Sequence, residues 1–145
     1  MPSIKIRPRE GRPPLPLPGY QTEGSSGMDL PAAEEVTIAP GEWASVGTGL
    51  ELELPEGFEG QVRPRSGLAM REGVTVLNAP GTIDADYRGE LRVLLINHGR
   101  AAYRIAVGDR IGQLVVARVE RAEIELVTSL EPSVRCAGGF GHSGR

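Results

Sequence analysis

The sequence contains little cysteine, lysine or aromatic residue. Its single cysteine excludes an internal disulfide framework and a cysteine-based zinc cluster. Lys5 is the only lysine, so a lysine-containing phosphate loop of the Walker type is also excluded. No apolar run approaches the roughly 18 residues of a membrane-spanning helix. The first residues also lack the apolar stretch of a secretory signal. We therefore expect a cytoplasmic protein that does not bind a membrane.

The charge and composition are those of an ordinary globular domain. The net charge of -3 and the isoelectric point near 5.5 argue against a protein that coats nucleic acid. A chain of 145 residues with 39% hydrophobic residues suits one domain. Such a domain buries about 70% of its unfolded surface. The 20 glycines and 12 prolines favour many turns over long helices.

Between Met28 and Ser129 the sequence consists of short strand-like runs separated by turn residues. In residues 50–54 leucine and glutamate alternate, which is the pattern of a half-buried strand. The spacing predicts an all-β fold, a jelly-roll-like sandwich or barrel, with one short helix over residues 67–72. The predicted strands cover residues 36–38, 43–46, 50–54, 74–77, 91–96, 104–107 and 111–116.

Two segments differ in composition from this β domain, which we place at residues 1–132. Residues 8–19 are rich in proline and are interpreted as an extended arm, with an SH3-type ligand as the alternative. Residues 133–145 are rich in glycine and cannot bury enough surface to order themselves. They are either a frayed terminus or a flexible flap that handles phosphate. Arg135 and Phe140 favour the flap, because a linker needs neither a cation nor an aromatic ring.

Two further segments contain groups that suit a metal or phosphate site. In residues 24–30, two glycines and two serines precede Asp29. This segment fits either a hydrated Mg²⁺ ion, which needs few protein carboxylates, or a turn that enters a strand. In residues 63–69, two arginines and Ser66 precede the predicted helix. They fit either a phosphate site or a helix capped by Ser66 with solvated arginines, and the sequence leaves both questions open.

Residues 78–91 are the segment richest in candidate catalytic groups. They connect two predicted strands and are too long for a minimal hairpin turn, and long loops on rigid sheets often bind ligands. Either Asp84 or Asp86 has the chemistry of a base that acts on water. Asp109 is interpreted as a turn residue, and His98 as a surface residue.

Five segments closely resemble, in order and spacing, the five motifs of the trimeric dUTPase (deoxyuridine triphosphate nucleotidohydrolase) family. The most specific is VTVLNAPGTIDADYRGE at residues 74–90, which contains most of the third motif. The resemblance extends from about Leu15 to the C-terminus. The motifs correspond to SGMDL at 26–30, RSGLA at 65–69, residues 78–91, GDRIGQ at 108–113 and residues 135–144.

This resemblance implies a β jelly roll that assembles as a homotrimer with active sites shared between chains. It also implies hydrolysis of dUTP to dUMP and pyrophosphate with Mg²⁺ as cofactor. That reaction would remove dUTP from the DNA precursor pool and supply dUMP for thymidylate synthesis. Residues 133–145 would close over the site as a lid, and nucleic acid is not an expected partner.

The resemblance also implies a role for each matched position. Asp84 would be the general base that activates the water attacking the α-phosphorus, and Gln113 would hold phosphate and help to place that water. Asp29 would hold Mg²⁺ through water. The remaining positions would bind substrate: the phosphate chain at Arg65, Ser66, Gly67 and Arg135, with Ser143 supporting the phosphate end; uracil at Asn78, Gly81, Ile83 and Phe140; and deoxyribose at Tyr87. Gly141 is also expected to be a substrate-binding position.

Two alternatives use the same scaffold. The related dCTP deaminases have a catalytic glutamate on the strand after the long hairpin, where this chain has Leu94, so deamination is not expected. A non-catalytic nucleotide-binding protein is disfavoured because Asp84, Gln113 and Arg135 are all present. Cys136 departs from the family pattern, since glycine is usual at that position.

Overall fold

The computed structural model describes residues 1–139, which form mostly short β-strands. The all-β fold with one short helix that the sequence predicts is confirmed. In chain order the elements are β1 (Lys5–Pro8), β2 (Met28–Pro31), β3 (Val36–Ile38), β4 (Trp43–Glu53), β5 (Phe58–Arg63), α1 (Ser66–Glu72), β6 (Val74–Val76), β7 (Gly81–Ile83), β8 (Glu90–Asn97), β9 (Tyr103–Ile105) and β10 (Arg110–Arg118).

Two four-stranded antiparallel sheets form the body of the fold. One has the order β1-β4-β8-β6 and the other β2-β10-β5-β7, while β3 and β9 form a small third sheet. Buried side chains from both large sheets join in one hydrophobic cluster, as in a β-sandwich. The alternation predicted for residues 50–54 is confirmed, because Leu50 and Leu52 are buried and Glu51 is only half-buried.

Several strands differ from the sequence prediction. The pattern does not reveal β1, β5 or β7, and the runs predicted at 43–46 and 50–54 are one continuous strand, β4. Gly60 obscures β5, since glycine weakens a strand pattern. A Cβ at Gly60 would lie 3.1 Å from Cδ1 of Leu114 and 3.2 Å from Cβ of Ile83. The glycine therefore allows these neighbouring side chains to pack closely against β5.

One alternative for the start of α1, in which Ser66 caps the helix, is wrong. Arg65 precedes the first helical residue and has extended dihedral angles, φ -94° and ψ 124°, so Ser66 is not the capping residue. The helix ends at Gly73, as predicted. Gly73 has φ 69°, and its amide donates to the carbonyl of Ala69 at 3.0 Å.

The pairing of β4 with β8 is irregular between Gly47 and Glu51. Carboxylates accept the backbone amides there: Gly47 donates to Oε1 of Glu34 at 2.7 Å, and Gly49 donates to Oε1 of Glu90 at 3.1 Å. Gly49 has φ 69°, a conformation that favours glycine. A bulge leaves strand amides without a ladder partner, and these two side chains supply the missing acceptors.

Two arginines neutralise these carboxylates, and we call Arg12, Glu34, Glu90 and Arg92 the arm network. Arg12, from the proline-rich arm, lies 2.7 Å from Glu34 and 3.0 Å from Glu90, nitrogen to oxygen. Arg92, from β8, lies 2.7 Å and 2.8 Å from the same two carboxylates. Residues 9–19 contain neither helix nor strand. The arm is nevertheless more than a connector, because Arg12 anchors it to the sheet.

The surroundings of the two carboxyls determine their pKa values. Burial alone would raise the pKa of Glu34 and of Glu90. Hydrogen bonds from the backbone amides and from Arg12 outweigh burial, so the pKa of both carboxyls is lowered. The pKa of Arg12 is raised, chiefly by its hydrogen bond to Glu90. The arm network therefore favours its charged form.

We expect the arm network to make stability depend on acidic pH. A carboxyl with a lowered folded pKa stabilises the fold above its unfolded pKa, and this contribution is lost as the pH falls through the folded pKa. The free energy of unfolding should thus decrease from about pH 5 to about pH 3. Glu34→Gln should cost roughly 1–2 kcal/mol at neutral pH and flatten this dependence. Urea unfolding followed by circular dichroism measures both effects.

The matched control is Glu56→Gln, at an exposed turn residue outside the arm network. It should retain the wild-type dependence on pH. A Glu34→Gln protein with the same stability and the same pH slope as the wild type would contradict the role assigned to the network.

Candidate active site

Strands β2, β10 and β5 place Asp29, Gln113 and Arg63 side by side, because Gln113 is opposite Asp29 on one side and Arg63 on the other. The Asp29 carboxylate accepts a hydrogen bond from Nε of Arg65 at 2.9 Å and another from Nη1 of Arg110 at 3.2 Å. Residues 28–31 form β2, so Asp29 lies within a strand, a placement that is compatible with both alternatives given for this segment. We call Asp29, Arg65, Arg110 and Gln113 the arginine cluster.

The side chain of Gln113 is held in one orientation. Its Nε2 donates to the carbonyl of Pro64 at 2.9 Å, and the residue is half-buried. Its Oε1 lies against Gly27, where a Cβ would collide with it. Gly27 and Pro64 thus fix the amide of Gln113 beside the two arginines.

The start of α1 adds further polar groups next to the cluster. Ser66 is exposed, and Gly67 lies against the guanidinium of Arg71, where a Cβ would be 3.0 Å from Nη1. Arg65 joins this end of α1 to the cluster through its bond to Asp29. Arg65 and Arg110 thus lie on one surface with the hydroxyl of Ser66 and the side-chain amide of Gln113, a combination of groups that suits phosphate oxygens.

Sequence reasoning missed Arg110. It lies within the segment 108–113, but its pairing with Asp29 joins residues 81 apart in the chain. Only the pairing of β2 with β10 brings them together. The turn role predicted for Asp109 is confirmed, because its carboxylate accepts the amide of Ala106 at 2.8 Å.

The long hairpin, residues 78–89, connects β6 to β8, which pair as predicted. Within it, β7 leaves that sheet and pairs with β5 of the other. Asp84 and Tyr87 are exposed. The tip has a defined shape, since the amide of Tyr87 donates to the carbonyl of Asp84 at 3.1 Å and Arg88 donates to the carbonyl of Ala85 at 2.6 Å.

The residues expected to contact uracil lie along the same hairpin. Asn78 is exposed, Gly81 is buried and Ile83 is half-buried. The side-chain nitrogen of Asn78 lies 3.3 Å from the point that a Cβ of Gly81 would occupy. The structure therefore brings Asn78 and Gly81 together at the start of β7.

Within one chain, Asp84 is far from the arginine cluster. Gln113 is opposite Arg63 of β5, whereas Ile83, the residue before Asp84, is opposite Gly60. These registers separate Asp84 from Gln113 by about 13 Å along the sheet and about 10 Å across it. The resulting distance is about 16 Å, so one chain does not place both side chains at the same reacting atom.

The donor set near Asp29 limits how a metal ion can bind. Residues 1–139 contain no group of three or more histidine, cysteine, aspartate or glutamate side chains suited to a metal. Both carboxylate oxygens of Asp29 already accept hydrogen bonds from arginines. Mg²⁺ needs few protein carboxylates when water and phosphate oxygens complete its coordination. The residues fit an ion that reaches Asp29 through water.

The C-terminal residues divide into a described and an undescribed part. Arg135 is exposed, and its Nε donates to the carbonyl of Gly138 at 2.6 Å. Phe140, Gly141 and Ser143 lie outside the described residues. Before Arg135, several large apolar side chains are almost fully exposed, including Ile124 at 95% and Leu126 at 99%.

None of the helices in the described range is long and apolar enough to cross a membrane.

Comparisons with known proteins agree on one family. Residues 14–144 match the sequence model of the dUTPase family. A deoxyuridine 5'-triphosphate nucleotidohydrolase of Anaeromyxobacter sp. (strain Fw109-5) is 59% identical, over 99% of this chain and 98% of the relative. A protein of the same name from Maricaulis maris (strain MCS10) is 50% identical, over 97% and 95%.

Solved structures agree with this match. The dUTPase of Staphylococcus bacteriophage 80alpha with dUPNHPP has a TM-score of 0.90 at 26% identity, covering 99% of both chains. A dUTPase from phage phi11 of S. aureus, described as coordinating a structural Mg(II) ion, has a TM-score of 0.80. It is 24% identical and covers 90% of this chain and 99% of its own, a likeness that concerns the fold alone.

Proposed function

This chain belongs to the dUTPase family and is an enzyme that hydrolyses dUTP, and from this premise we propose how its residues carry out the reaction. Asp84 is the general base, and the arginine cluster of another copy of the chain holds the triphosphate. The observation that carries the proposal is the state of the two carboxylates. Asp29 is paired with two arginines, whereas within residues 1–139 the exposed carboxylate of Asp84 has no ion pair or hydrogen bond. Asp84 is therefore available to accept a proton.

The arginine cluster supplies the phosphate site. Arg65, Ser66 and Gln113 offer a guanidinium, a hydroxyl and an amide on one surface, with Gly67 beside them. Groups that are fixed before the substrate arrives stabilise developing phosphate charge without having to reorganise. The pairing of Nε with Asp29 and the hydrogen bond from Nη1 to the carbonyl of Arg110, at 3.3 Å, hold Arg65 in place and leave Nη2 for ligand contacts.

The reaction is a displacement by water. The water oxygen forms a bond to the α-phosphorus and transfers a proton to Asp84. The bond from the α-phosphorus to the bridging oxygen breaks, and pyrophosphate leaves while dUMP remains. Asp29 would hold Mg²⁺ through water, and the ion when bound would neutralise part of the charge of the triphosphate. Gln113 positions the attacking water and the phosphate chain.

The long hairpin selects the nucleoside. Asn78 and the backbone at Gly81 and Ile83 bind uracil, and a site that donates a hydrogen bond to the 4-oxygen of uracil meets a donor amino group in cytosine. An unpaired polar contact of this kind costs roughly 1–3 kcal/mol. Tyr87 lies against the deoxyribose and leaves no room for a 2′-hydroxyl. Its hydroxyl donates to the carbonyl of Glu90 at 2.9 Å, which orients the ring.

The assembly we propose is a homotrimer with sites shared between chains. Two observations support it. Asp84 and Gln113 of one chain lie about 16 Å apart by strand register, so a complete site requires Asp84 from one chain and Gln113 from another. The exposed apolar side chains of Ile124, Leu126 and Leu130 also require a cover, and a second copy of the chain provides one.

Residues 133–145 form the lid in this proposal. Arg135 pairs with the γ-phosphate, Phe140 stacks on uracil, Ser143 supports the phosphate end, and Gly141 also binds substrate. Closure excludes water other than the attacking molecule and orients the phosphates.

The experiment that tests the function is a substrate comparison. The protein is incubated with Mg²⁺ and dUTP, dCTP, dTTP or UTP, and pyrophosphate and ammonia are measured separately. Pyrophosphate from dUTP alone is the expected result. Ammonia from dCTP would identify a deaminase and contradict the interpretation of Leu94. Heat protection by dUTP without any product would identify a binding protein.

The base assignment predicts different effects at the two neighbouring aspartates of the hairpin. Asp84→Asn should lower kcat at least about a hundredfold, because a general base contributes roughly 10² to 10⁴. It should leave the melting temperature unchanged, since Asp84 is exposed and unpaired in the described chain. Asp86→Asn, at an equally exposed site two residues away, is the matched variant and should retain most of the activity. The opposite ranking of the two variants would assign the base to Asp86.

A further inference from the structure

The arm network ends directly at the long hairpin. Glu90 is the first residue of β8 and follows Gly89, the last residue of the hairpin. Its side chain is only 5% exposed, and it carries a charge that the arm network must neutralise. The Glu90 main chain pairs with Glu51 of β4 at the start of the strand, and the contacts of its carboxylate add a second restraint at this end of the hairpin.

Tyr87 in turn depends on the Glu90 main chain. The Tyr87 hydroxyl donates to the carbonyl of Glu90 at 2.9 Å. Gly89 lies against the Tyr87 ring so closely that a Cβ there would collide with the hydroxyl oxygen. The ring is thus held between a glycine and one carbonyl, and a shift of Glu90 reorients it.

Arg12 connects this point to a distant part of the chain. Its Nε and Nη2 each lie 3.0 Å from a different carboxylate oxygen of Glu90, across 78 residues of sequence. Nη2 donates a hydrogen bond to Oε2, and Nε makes a second charged contact with Oε1, so the two contacts together restrain direction as well as distance. Arg92, by contrast, lies two residues from Glu90 on the same strand, so it shares any movement of β8. The amide of Gly49 on β4 also donates to Oε1 of Glu90, at 3.1 Å. Among the charged side chains of the described residues, only Arg12 holds Glu90 from outside the strand and the hairpin, through the arm.

The bulge in β4 leaves room for this arrangement. A Cβ at Gly47 would meet Oε1 of Glu90 and Nη2 of Arg12 at 2.5 Å and 2.7 Å. A Cβ at Gly49 would lie 3.1 Å from Cβ of Arg12. The two glycines thus form a passage through which Arg12 reaches Glu90.

We propose that Arg12 is a positioning residue for sugar selection: through the carboxylate of Glu90 it fixes the carbonyl that orients Tyr87. This inference rests on the proposed function, in which Tyr87 lies against the deoxyribose. Arg12 itself lies outside all five motif segments. Its effect is on the discrimination between dUTP and UTP, not on the proton transfer.

The test compares kcat/KM for dUTP and UTP in the full-length enzyme. Arg12→Met keeps the length of the side chain but loses both charged contacts with Glu90, and should lower the dUTP-to-UTP preference on the order of tenfold, mainly through KM. Arg12→Lys keeps the charge without the two-nitrogen geometry and should fall between Met and the wild type. Arg104, on β9, forms an exposed ion pair with Glu35. Arg104→Met removes this pair and should retain the wild-type preference.

A double-mutant cycle with Tyr87→Phe separates positioning from general destabilisation. In the Tyr87→Phe background the bond to Glu90 is already absent, so Arg12→Met should change the preference little further. Equal losses for dUTP and UTP in Arg12→Met, or additive effects in the cycle, would overturn the proposal. If Arg12→Met does not fold, Arg12→Lys carries the same comparison. A wild-type enzyme that does not hydrolyse dUTP would instead refute the proposed function.

Discussion

The antiparallel pairing of β5 with β10 on one side and β7 on the other is the constraint on which the active site depends. This strand carries Arg63 at one end, opposite Gln113, and Gly60 near the other end, opposite Ile83. The register of a sheet is fixed by its hydrophobic face, because a slip of one residue would turn every buried side chain outward. The proposed phosphate-binding residues and the proposed base therefore stay at a fixed distance within each chain, and in the assembly that we propose a second chain completes the site.

The arm network places a second constraint on the same hairpin. The bulge in β4 exposes the amides of Gly47 and Gly49, and the carboxylates of Glu34 and Glu90 accept them. Buried carboxylates require neutralisation, which Arg12 and Arg92 provide. Loss of either arginine would leave the buried carboxylate of Glu90 and the half-buried carboxylate of Glu34 with one charged partner fewer. The proline-rich arm is thereby part of the domain even though it forms no strand beyond β1 within the described residues.

Local sequence patterns predicted the features that depend on neighbouring residues. The leucine–glutamate alternation at 50–54, the end of α1 at Gly73 and the hairpin between β6 and β8 follow from side-chain period and turn chemistry, and all are confirmed. Strands β5 and β7 did not follow from such patterns. One contains a close-packed glycine and the other has three residues, so pairing with neighbours decides their structure.

Side-chain contacts between residues that are distant in sequence could not be predicted from local patterns either. The contacts of Arg110 with Asp29 and of Arg12 with Glu90 join residues 81 and 78 apart. The motif resemblance selected Asp84, Gln113 and Arg65 as site residues, and the fold shows Arg65 and Gln113 in one cluster. The resemblance did not reveal that Asp29 is held by two arginines. That information comes from sheet pairing.

The most direct test of the account is complementation between two inactive chains. Asp84→Asn and Arg65→Ala proteins are unfolded together in equal amounts, refolded and assayed with dUTP. If each site takes these two residues from different chains of a closed ring, about a quarter of the sites are intact whatever the number of copies. In the matched control mixture, a chain that carries both substitutions is refolded with wild type. About a quarter of the sites should again be intact, against about half if both residues of a site come from one chain. Activity restored in the first mixture is the predicted result. No activity in the first mixture, with half in the second, would contradict a shared site.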